Sequence, residues 1–578
     1  MPWANEELGR QFAEIAELLK LSGADRFRVR AYERARDAVA SAPVDLGALD
    51  RTELATIDGI GDSTAAKIVE FQQRGEIGML AELRASVPPG IVELVRVPGL
   101  GPKTARTLHD VLGVSSLDEL REALASGRLR GVKGLGARTQ DNLRAGLARL
   151  EATLTERTPL ADVIGVAEEL LARARAVPDV EQAVLAGSVR RGRDTVRDID
   201  LLVATSRPVE VLAAVAADPL VRDVEARGET KLTLRTARDL QVDVRAVAPG
   251  SWGAALIYFT GAKAHNVRIR ERALRRGTTL SEYGLFAREG DDCLAGADEA
   301  EVYGALGLSW IPPTMREDRG EVSAAADGSL PDVVTRLHGD LHGHSDWSGD
   351  GRASIAEMAA AAAAADLQYW AVTDHAEMLA INGLTAAQFA DRRHALAALA
   401  DGVGVTLLDG AELNIGLDGE LDYDDDVLAQ FEFCVASVHT GLDRDADAQT
   451  ERVIRAMRHP SVHAIGHLTG RKIGRRPGFD VHFDRILEAA LETGTALEVN
   501  ASPRRLDLAD EHVRRAVDAG VTLTISSDAH HPGELDNLRF GIATAQRGWA
   551  RASDVLNARD LEDLREFVAR KRAHGVRG

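Results

Sequence analysis

Gly187-Ser188-Val189-Arg190-Arg191-Gly192 is followed closely by Asp198-Ile199-Asp200. The apolar run Ile199-Leu201-Val203 reads as a strand. Asp198 and Asp200 stand two apart there, so their carboxylates face one side. A third carboxylate, Asp243, lies in a second predicted strand, Gln241-Val242-Asp243-Val244. Three convergent carboxylates can hold two Mg²⁺ or Mn²⁺ ions about 3.5–4 Å apart. Such ions activate an attacking hydroxyl and neutralise a leaving pyrophosphate. Gly187-Ser188 can open a helix whose N–H groups and hydroxyl bind phosphate oxygens. Arg191 adds a planar cation for a triphosphate. A bare Asp-x-Asp also reads as surface ion pairs with Arg190, Arg193 or Arg197. The Gly-Ser pair and the distant Asp243 favour the chemical reading.

Around this centre, residues 151–315 mix helix with short strands, such as Val184-Leu185-Ala186 and Val242-Val244. The chain has 578 residues, enough for three to five domains. Its 45% hydrophobic and 28% charged residues are ordinary for a globular protein. Cys293 and Cys434 are the two cysteines, which excludes a disulfide scaffold and a four-cysteine zinc site. No basic-then-apolar leader and no long apolar run is visible. The expectation is a soluble, cytoplasmic, nucleoid-associated bacterial monomer that does not engage a membrane. Net charge is −20. Residues 316–578 hold 28 basic against 44 acidic residues and so carry most of it. The preceding part is close to neutral, so local clusters of lysine and arginine there can still grip phosphates.

Residues 1–150 read as helices joined by glycine-containing turns. Three segments repeat Gly-apolar-Gly before a short helix: Gly59-Ile60-Gly61, Gly99-Leu100-Gly101 and Gly134-Leu135-Gly136. Lys67 and Lys103 follow the first two. Glycine permits positive φ and a close phosphate approach, and the helix N–H groups then face that phosphate. The pattern resembles the helix-hairpin-helix element, which grips the DNA backbone without reading sequence. A plain helix cap is the alternative for any single copy.

Residues 337–578 alternate apolar strands with Ala-rich helices, which suggests a parallel α/β barrel or sheet. Nine residues sit at or after these strands: His342, His344, Asp350, His375, Glu412, His439, His467, Asp528 and His530. Residues at strand C-terminal ends of a barrel converge on one rim. Mixed imidazole and carboxylate donors suit Zn²⁺, Mn²⁺ or Fe²⁺, and nine suffice for up to three ions.

The central cluster resembles the nucleotidyltransferase core of family X DNA polymerases, the family of DNA polymerase beta. Tyr258-Phe259-Thr260-Gly261 looks like the family's turn against the sugar of an incoming nucleotide. The resemblance implies contacts to the nascent base pair from Asn266 and Arg270, and to the triphosphate from Arg157. Lys263, Arg268, Arg270, Arg272, Arg275 and Arg276 against Glu271 form a local basic patch. Arg30-Ala31-Tyr32-Glu33-Arg34-Ala35 is similar to the family's DNA-end-binding helix. Lys67 aligns with a Schiff-base lysine of the animal enzyme, but Arg28 and Ser63 replace neighbouring lysines, so phosphate anchoring is the expected role. Ala262, Arg197 and Gln241 also depart from the animal pattern. The histidine-rich part resembles the polymerase-and-histidinol-phosphatase (PHP) domain, with Gly349 as an extra residue before Asp350. Arg471 and Arg504 are candidate phosphate binders.

The resemblance implies a multidomain α/β chain. Its parts are a lyase-like helical domain at 1–80, a fingers-type helix-hairpin-helix domain at 81–150, a nucleotidyltransferase palm at 151–250, a thumb at 251–315, a linker at 316–336, and a PHP domain with a distorted (β/α)7-type barrel at 337–578. The implied activity is gap-filling DNA synthesis from deoxynucleoside triphosphates on gapped or primer-template DNA. Palm Mg²⁺ or Mn²⁺ would serve it, and PHP-bound Zn²⁺ or Mn²⁺ would serve 3′–5′ excision or cleavage at abasic sites. A DNA-binding nuclease with an inert polymerase core is the rival.

Overall fold

The computed structural model describes residues 157–287, 292–379, 382–399 and 402–575. Before residue 157 it describes 24–41, 49–57, 60–74, 77–80, 100–114, 116–129 and scattered shorter pieces. Two compact units result, Met1–Arg157 and Thr158–Gly578. Among the described residues no helix is long and apolar enough to cross a membrane.

The first unit is helical: α1 Arg26–Ser41, α2 Asp62–Arg74, α3 Pro102–Leu112 and α4 Leu117–Ala125. Its one core gathers Phe12, Ile15, Leu54, Ile68, Leu108, Leu120 and Leu135. The three repeats share a turn, in which the N–H of Ile60, Leu100 and Leu135 donates to the carbonyl of Ile57, Val97 and Val132. Gly61, Gly101 and Gly136 then accept the first bonds of the next helix.

In the second unit, α5 Leu160–Arg175 packs on a five-stranded sheet. Its strands are β1 Gln182–Leu185, β2 Ile199–Ala204, β3 Val221–Arg227, β4 Lys231–Thr236 and β5 Gln241–Val247, in the spatial order β1-β2-β5-β4-β3. A four-residue helix, α6 Gly187–Arg190, joins β1 towards β2. Val242, Val244 and Ala246 of β5 are buried, which turns Gln241, Asp243 and Arg245 to the other face. The parallel β2–β5 register sets Asp200 opposite Asp243.

Next come the apolar α7 Trp252–Thr260 and the basic α8 Lys263–Arg275. They pack with an antiparallel sheet of β6 Thr278–Ser281, β7 Gly284–Ala287 and β8 Cys293–Ala295, and with α9 Glu299–Ala305.

Residues 316–336 are not a linker. Arg316 is fully buried and pairs with Glu299 at 2.6 Å. Glu321 opens α10 Glu321–Asp327 and meets His265 at 2.5 Å. Ala324 and Ala325 are buried. The small, polar composition is that of a short helix held by buried ion pairs, and their partners lie far away in sequence.

The rest is a parallel barrel whose seven strands follow chain order: β9 Gly339–Gly343, β10 Tyr369–Val372, β11 Thr406–Asn414, β12 Phe433–Ser437, β13 Ala464–Ile465, β14 Ala496–Asn500 and β15 Leu523–Ser526. A bridge from Gly343 to Ala529 nearly closes the ring. At that seam Asp340 accepts from the Ser527 N–H and hydroxyl. Burial pushes the Asp340 carboxyl up to about 6. The (β/α)7-type fold expected from the sequence is present.

The sheet domain and the barrel share packing. Leu506 and Phe540 of the barrel half belong to the core of the five-stranded sheet domain. Phe540 lies on α11 Leu538–Arg547. Gly192, at φ +65°, faces this helix, and a Cβ there would come within 2.8 Å of Ala543. Arg504–Asp162 at 3.2 Å adds a polar tie, and Thr314, beyond α9, meets Gln546 of the barrel at 2.9 Å.

Candidate active sites

The sheet site starts from Gly187. Its backbone is left-handed, at φ +56°. A Cβ there would sit 1.8 Å from Asp200 Oδ2. Only glycine combines that φ with that contact. Gly187→Ala is therefore expected to push Asp200 aside and cut nucleotide addition by more than about tenfold, since misplacement of about 1 Å can cost 100-fold. Steady-state rates on gapped DNA check this.

Asp200 and Asp243 stand opposite each other in the β2–β5 register, and Asp198, just before β2, is near enough for its charge to act on Asp200. Burial, then Asp198 and Asp243, pushes Asp200 up to about 7. Arg191 and Arg245 pull it the other way. Asp243 accepts from Thr233 Oγ1 at 2.5 Å and from Gln241 Nε2 at 3.1 Å, and Lys231 lies 3.7 Å away. No trio of palm donor atoms among the described residues converges within 4.8 Å. The mutual repulsion of these carboxylates is what a shared cation relieves, so the donor set fits divalent ions.

The nucleotide-side residues form a connected wall. Tyr258 and Phe259 end α7 with ring centroids 5.0 Å apart. Asn266 Nδ2 donates to the carbonyls of Tyr258 at 2.6 Å and Gly261 at 3.3 Å. A Cβ on Gly261 would meet Asn266 Oδ1 at 2.3 Å. The Arg270 guanidinium lies 5.9 Å from the Tyr258 ring centroid. Arg245, missed in the sequence, covers the Phe259 ring at 5.2 Å. A cation at period two from Asp243 on the same strand face was the available signal. Ser188 is half-buried in α6. Arg191 is engaged by Glu317 at 2.8 Å and by the Thr260 carbonyl at 2.7 Å. Arg157 is exposed at the end of the first unit. The basic patch is partly internal, because Arg272 donates to the carbonyls of Leu306 and Gly307, and Arg268 pairs with Asp318.

In the helical unit, Gly61, Gly101 and Gly136 have open space where a Cβ would point. Gly101 has φ −75°, and neither Gly61 nor Gly136 is left-handed. Positive φ is therefore not why these three are glycine, and a Cβ there would meet no neighbour within the chain. Gly59, Gly99 and Gly134 lie outside the described residues. Lys103 stands in the first turn of α3. Lys67 donates to Ser63 Oγ at 3.2 Å and lies 5.7 Å from the Tyr32 ring centroid.

The barrel site gathers all nine expected residues at the strand C-terminal ends. Glu412 is the hub. Its oxygens lie 2.8 Å from His375, 3.0 Å from His467, 3.3 Å from His439, 3.4 Å from His342 and 3.7 Å from His344. Asp350 reaches His375 at 3.1 Å and His530 at 3.4 Å, and Asp528 reaches His344 at 3.3 Å. Three imidazoles have Nδ1 fixed from outside: His342 by Glu498 at 2.7 Å, His439 by Asn414 at 2.8 Å and His530 by the Asp528 carbonyl at 2.9 Å. Their Nε2 atoms then face the cluster, an arrangement that orients ligand imidazoles. His342 Nε2, both nitrogens of His344, His467 Nδ1, Asp350 Oδ1 and Glu412 Oε2 are buried without a hydrogen bond. Such orphaned donor atoms fit metal ions. Burial with neighbouring His530 and His375 lowers His344 to about 4, and burial with Arg505 lowers His467 to about 3, which leaves both lone pairs available. His467 and Asp528 hold left-handed backbone, at φ 26° and 55°, strain of the sort found at functional sites.

A cavity of about 310 Å³ opens beside Asp350, Asp528 and His530. Arg352, Lys472, Arg475, Arg504 and Arg505 line it. It is a basic mouth on an acidic domain. Arg505, 3.4 Å from Asp528, was missed in the sequence, as was Glu498. Arg471 turns away, donating to the carbonyls of Arg505 and Leu506. Behind the site, buried Arg392 ties Asp374 at 2.8 Å to Asp409 at 2.7 Å, holding the loop that carries His375.

The chain is 36% identical over 98% of its length to a DNA polymerase/3′-5′ exonuclease PolX of Bacillus subtilis, covering 99% of that protein. The chain belongs to the bacterial PolX family. Helix-hairpin-helix descriptions match residues 3–77 and 91–149, the DNA polymerase beta thumb matches 255–317, and the PHP domain matches 340–502. Rat DNA polymerase lambda is 26% identical over 54% of the chain and 56% of its own length. A probable phosphatase of Vibrio campbellii is 29% identical over 38% of the chain and 87% of its own length. Of these two partial relatives, one is named a polymerase and the other a phosphatase.

Proposed function

We propose that this PolX chain is a DNA polymerase that fills short gaps in DNA repair, and that its barrel removes 3′ nucleotides. The carrying observation is that the described part of the second unit holds two chemically distinct sites. One is an all-carboxylate cluster beside a Gly-Ser turn, and the other is a His/carboxylate cluster beside a cationic cavity. DNA and deoxynucleoside triphosphates are the substrates, and both activities use divalent metal ions.

Asp198, Asp200 and Asp243 hold two Mg²⁺ or Mn²⁺ ions, and the nine barrel residues hold up to three Zn²⁺ or Mn²⁺ ions. Such ions neutralise phosphate charge and favour ionisation of the attacking oxygen. In the palm, Gly187, Ser188 and Arg191 bind the triphosphate, with Arg157 as a further cation. Tyr258, Phe259 and Gly261 lie against the sugar, and Asn266 and Arg270 face the new base pair. The primer 3′ oxygen bonds to the α-phosphorus and pyrophosphate leaves. In the barrel, the basic cavity seats the terminal phosphodiester. A water oxygen bonds to its phosphorus and the 3′ oxygen leaves. The helix-hairpin-helix turns and Lys67 hold the DNA backbone.

A 5′-labelled primer on a one-nucleotide-gapped duplex with Mn²⁺ tests both halves. Extension by one nucleotide when deoxynucleotides are present, and shortening when they are absent, is the expected result. Shortening alone would reduce the palm to a DNA clamp.

A further inference from the structure

Arg191, the cation assigned to the triphosphate, already carries an anion. Its Nε donates to Glu317 Oε1 at 2.8 Å. The same oxygen accepts from Arg547 at 2.9 Å. Arg193 lies 3.9 Å from the other oxygen of Glu317. Arg547 belongs to barrel helix α11 and is 3% exposed. It also donates to the Arg191 carbonyl at 3.2 Å and to Asp510 at 2.8 Å, and Asp510 pairs with Arg319 at 2.7 Å. An alternating chain of charge thus runs from the nucleotide side of the palm into the barrel.

The neighbouring Arg190 is handled differently. It forks onto Glu299 at 2.8 and 2.9 Å, and Glu299 is shared with Arg316, all outside the barrel. Of these two arginines, Arg191 is the one whose carboxylate partner is shared with the barrel.

A carboxylate on a guanidinium presents the same oxygen pair that a phosphate would. A triphosphate reaching Arg191 must therefore displace Glu317 or share with it. How tightly Glu317 holds depends on Arg547, which draws on the same oxygen. The pairs are largely shielded from water, so they are stronger than surface ion pairs.

We infer that Glu317 competes with the nucleotide triphosphate for Arg191, and that Arg547 of the barrel sets how hard it competes. The inference rests on the proposed role of Arg191. Glu317 and Arg547 are positioning residues: neither touches the reacting atoms, and each acts through Arg191.

The test uses the full-length protein in single-nucleotide insertion on gapped DNA, with kcat and KM for the deoxynucleotide measured separately. Glu317→Gln frees Arg191 and is expected to lower KM about fivefold or more, the usual scale of a coupling between sites. Arg547→Met leaves Glu317 to Arg191, with only Arg193 at 3.9 Å beside it, and is expected to raise KM by a similar factor. The double variant is expected to match Glu317→Gln, because Arg547 acts through Glu317. Arg547→Lys is expected to restore most of the wild-type KM. Kd for gapped DNA is expected to stay constant throughout. If the pair only supports the fold, both single variants raise KM or lower kcat together and the double variant is worse; that result overturns the inference. If Arg547→Met does not fold, the sign for Glu317→Gln decides, a fall supporting and a rise overturning. Arg191→Met is the separate control: an unchanged KM would overturn the triphosphate role of Arg191 itself.

Discussion

Glu412→Gln is expected to abolish removal of 3′ nucleotides while leaving nucleotide addition at its wild-type rate. Five imidazoles stand within 3.7 Å of the Glu412 carboxylate. Glutamine keeps the shape but loses the charge. Burial works against the charged carboxylate, yet His439, His342 and His375 hold its pKa well below the ordinary value, so the wild-type group is an anion at any working pH. Loss of partners one layer out from a metal costs about 10–100-fold, and loss of the hub is expected to exceed that. Time courses on labelled single strands, with bound metal measured by plasma emission, give rate and occupancy together. Shortening at more than a tenth of the wild-type rate would remove Glu412 from the site.

Asp200→Asn is expected to have the opposite pattern, with nucleotide addition down about 100- to 1,000-fold, the scale for losing a preorganised electrostatic group, and shortening unchanged. The same substitution has a stability signature with a definite sign. Asp200 ionises near 3.8 in an unfolded chain and near 7 in the fold, because burial and then Asp198 and Asp243 oppose its charge. Between those values the unfolded chain releases the proton more readily. Stability from this group therefore falls as pH rises from about 4 to about 7 and stays low above. Asparagine carries no such penalty. In divalent-free buffer, Asp200→Asn is expected to raise Tm at pH 8 and to raise it much less at pH 4. An equal shift at both pH values would contradict the repulsion among the three carboxylates. The wild-type protein thus keeps an arrangement that is unfavourable without cations, a familiar trade between stability and activity.

The residues proposed for both sites were legible because each set depends on local spacing. Asp198 and Asp200 sit at the strand period, and the nine barrel residues each stand at or just beyond a strand end. Both signals survive without tertiary information. What stayed hidden was decided by partners distant in the chain. Arg316 looks like one more surface cation until Glu299 and Tyr303 close around it. Residues 316–336 consequently looked like a linker. Glu498 lies on β14, between the strands that lead to His467 and Asp528 but in neither motif, and its contact with His342 arises only when the barrel closes. The grip of Glu317 on Arg191 could not be read from spacing. Of the two reasons the sequence offers for the hairpin glycines, positive φ does not hold at the described ones.

Two side chains in the palm core come from far downstream. Leu506 and Phe540 pack among palm residues such as Leu170, Leu201 and Val242. On a ribosome the whole palm, the thumb and all seven barrel strands are synthesised before Phe540 exists. The palm must wait, incompletely packed, until the barrel has nearly been translated. A truncated product of stalled synthesis would then lack both the nuclease and a finished polymerase, so half-made chains are poor candidates for unsupervised DNA synthesis.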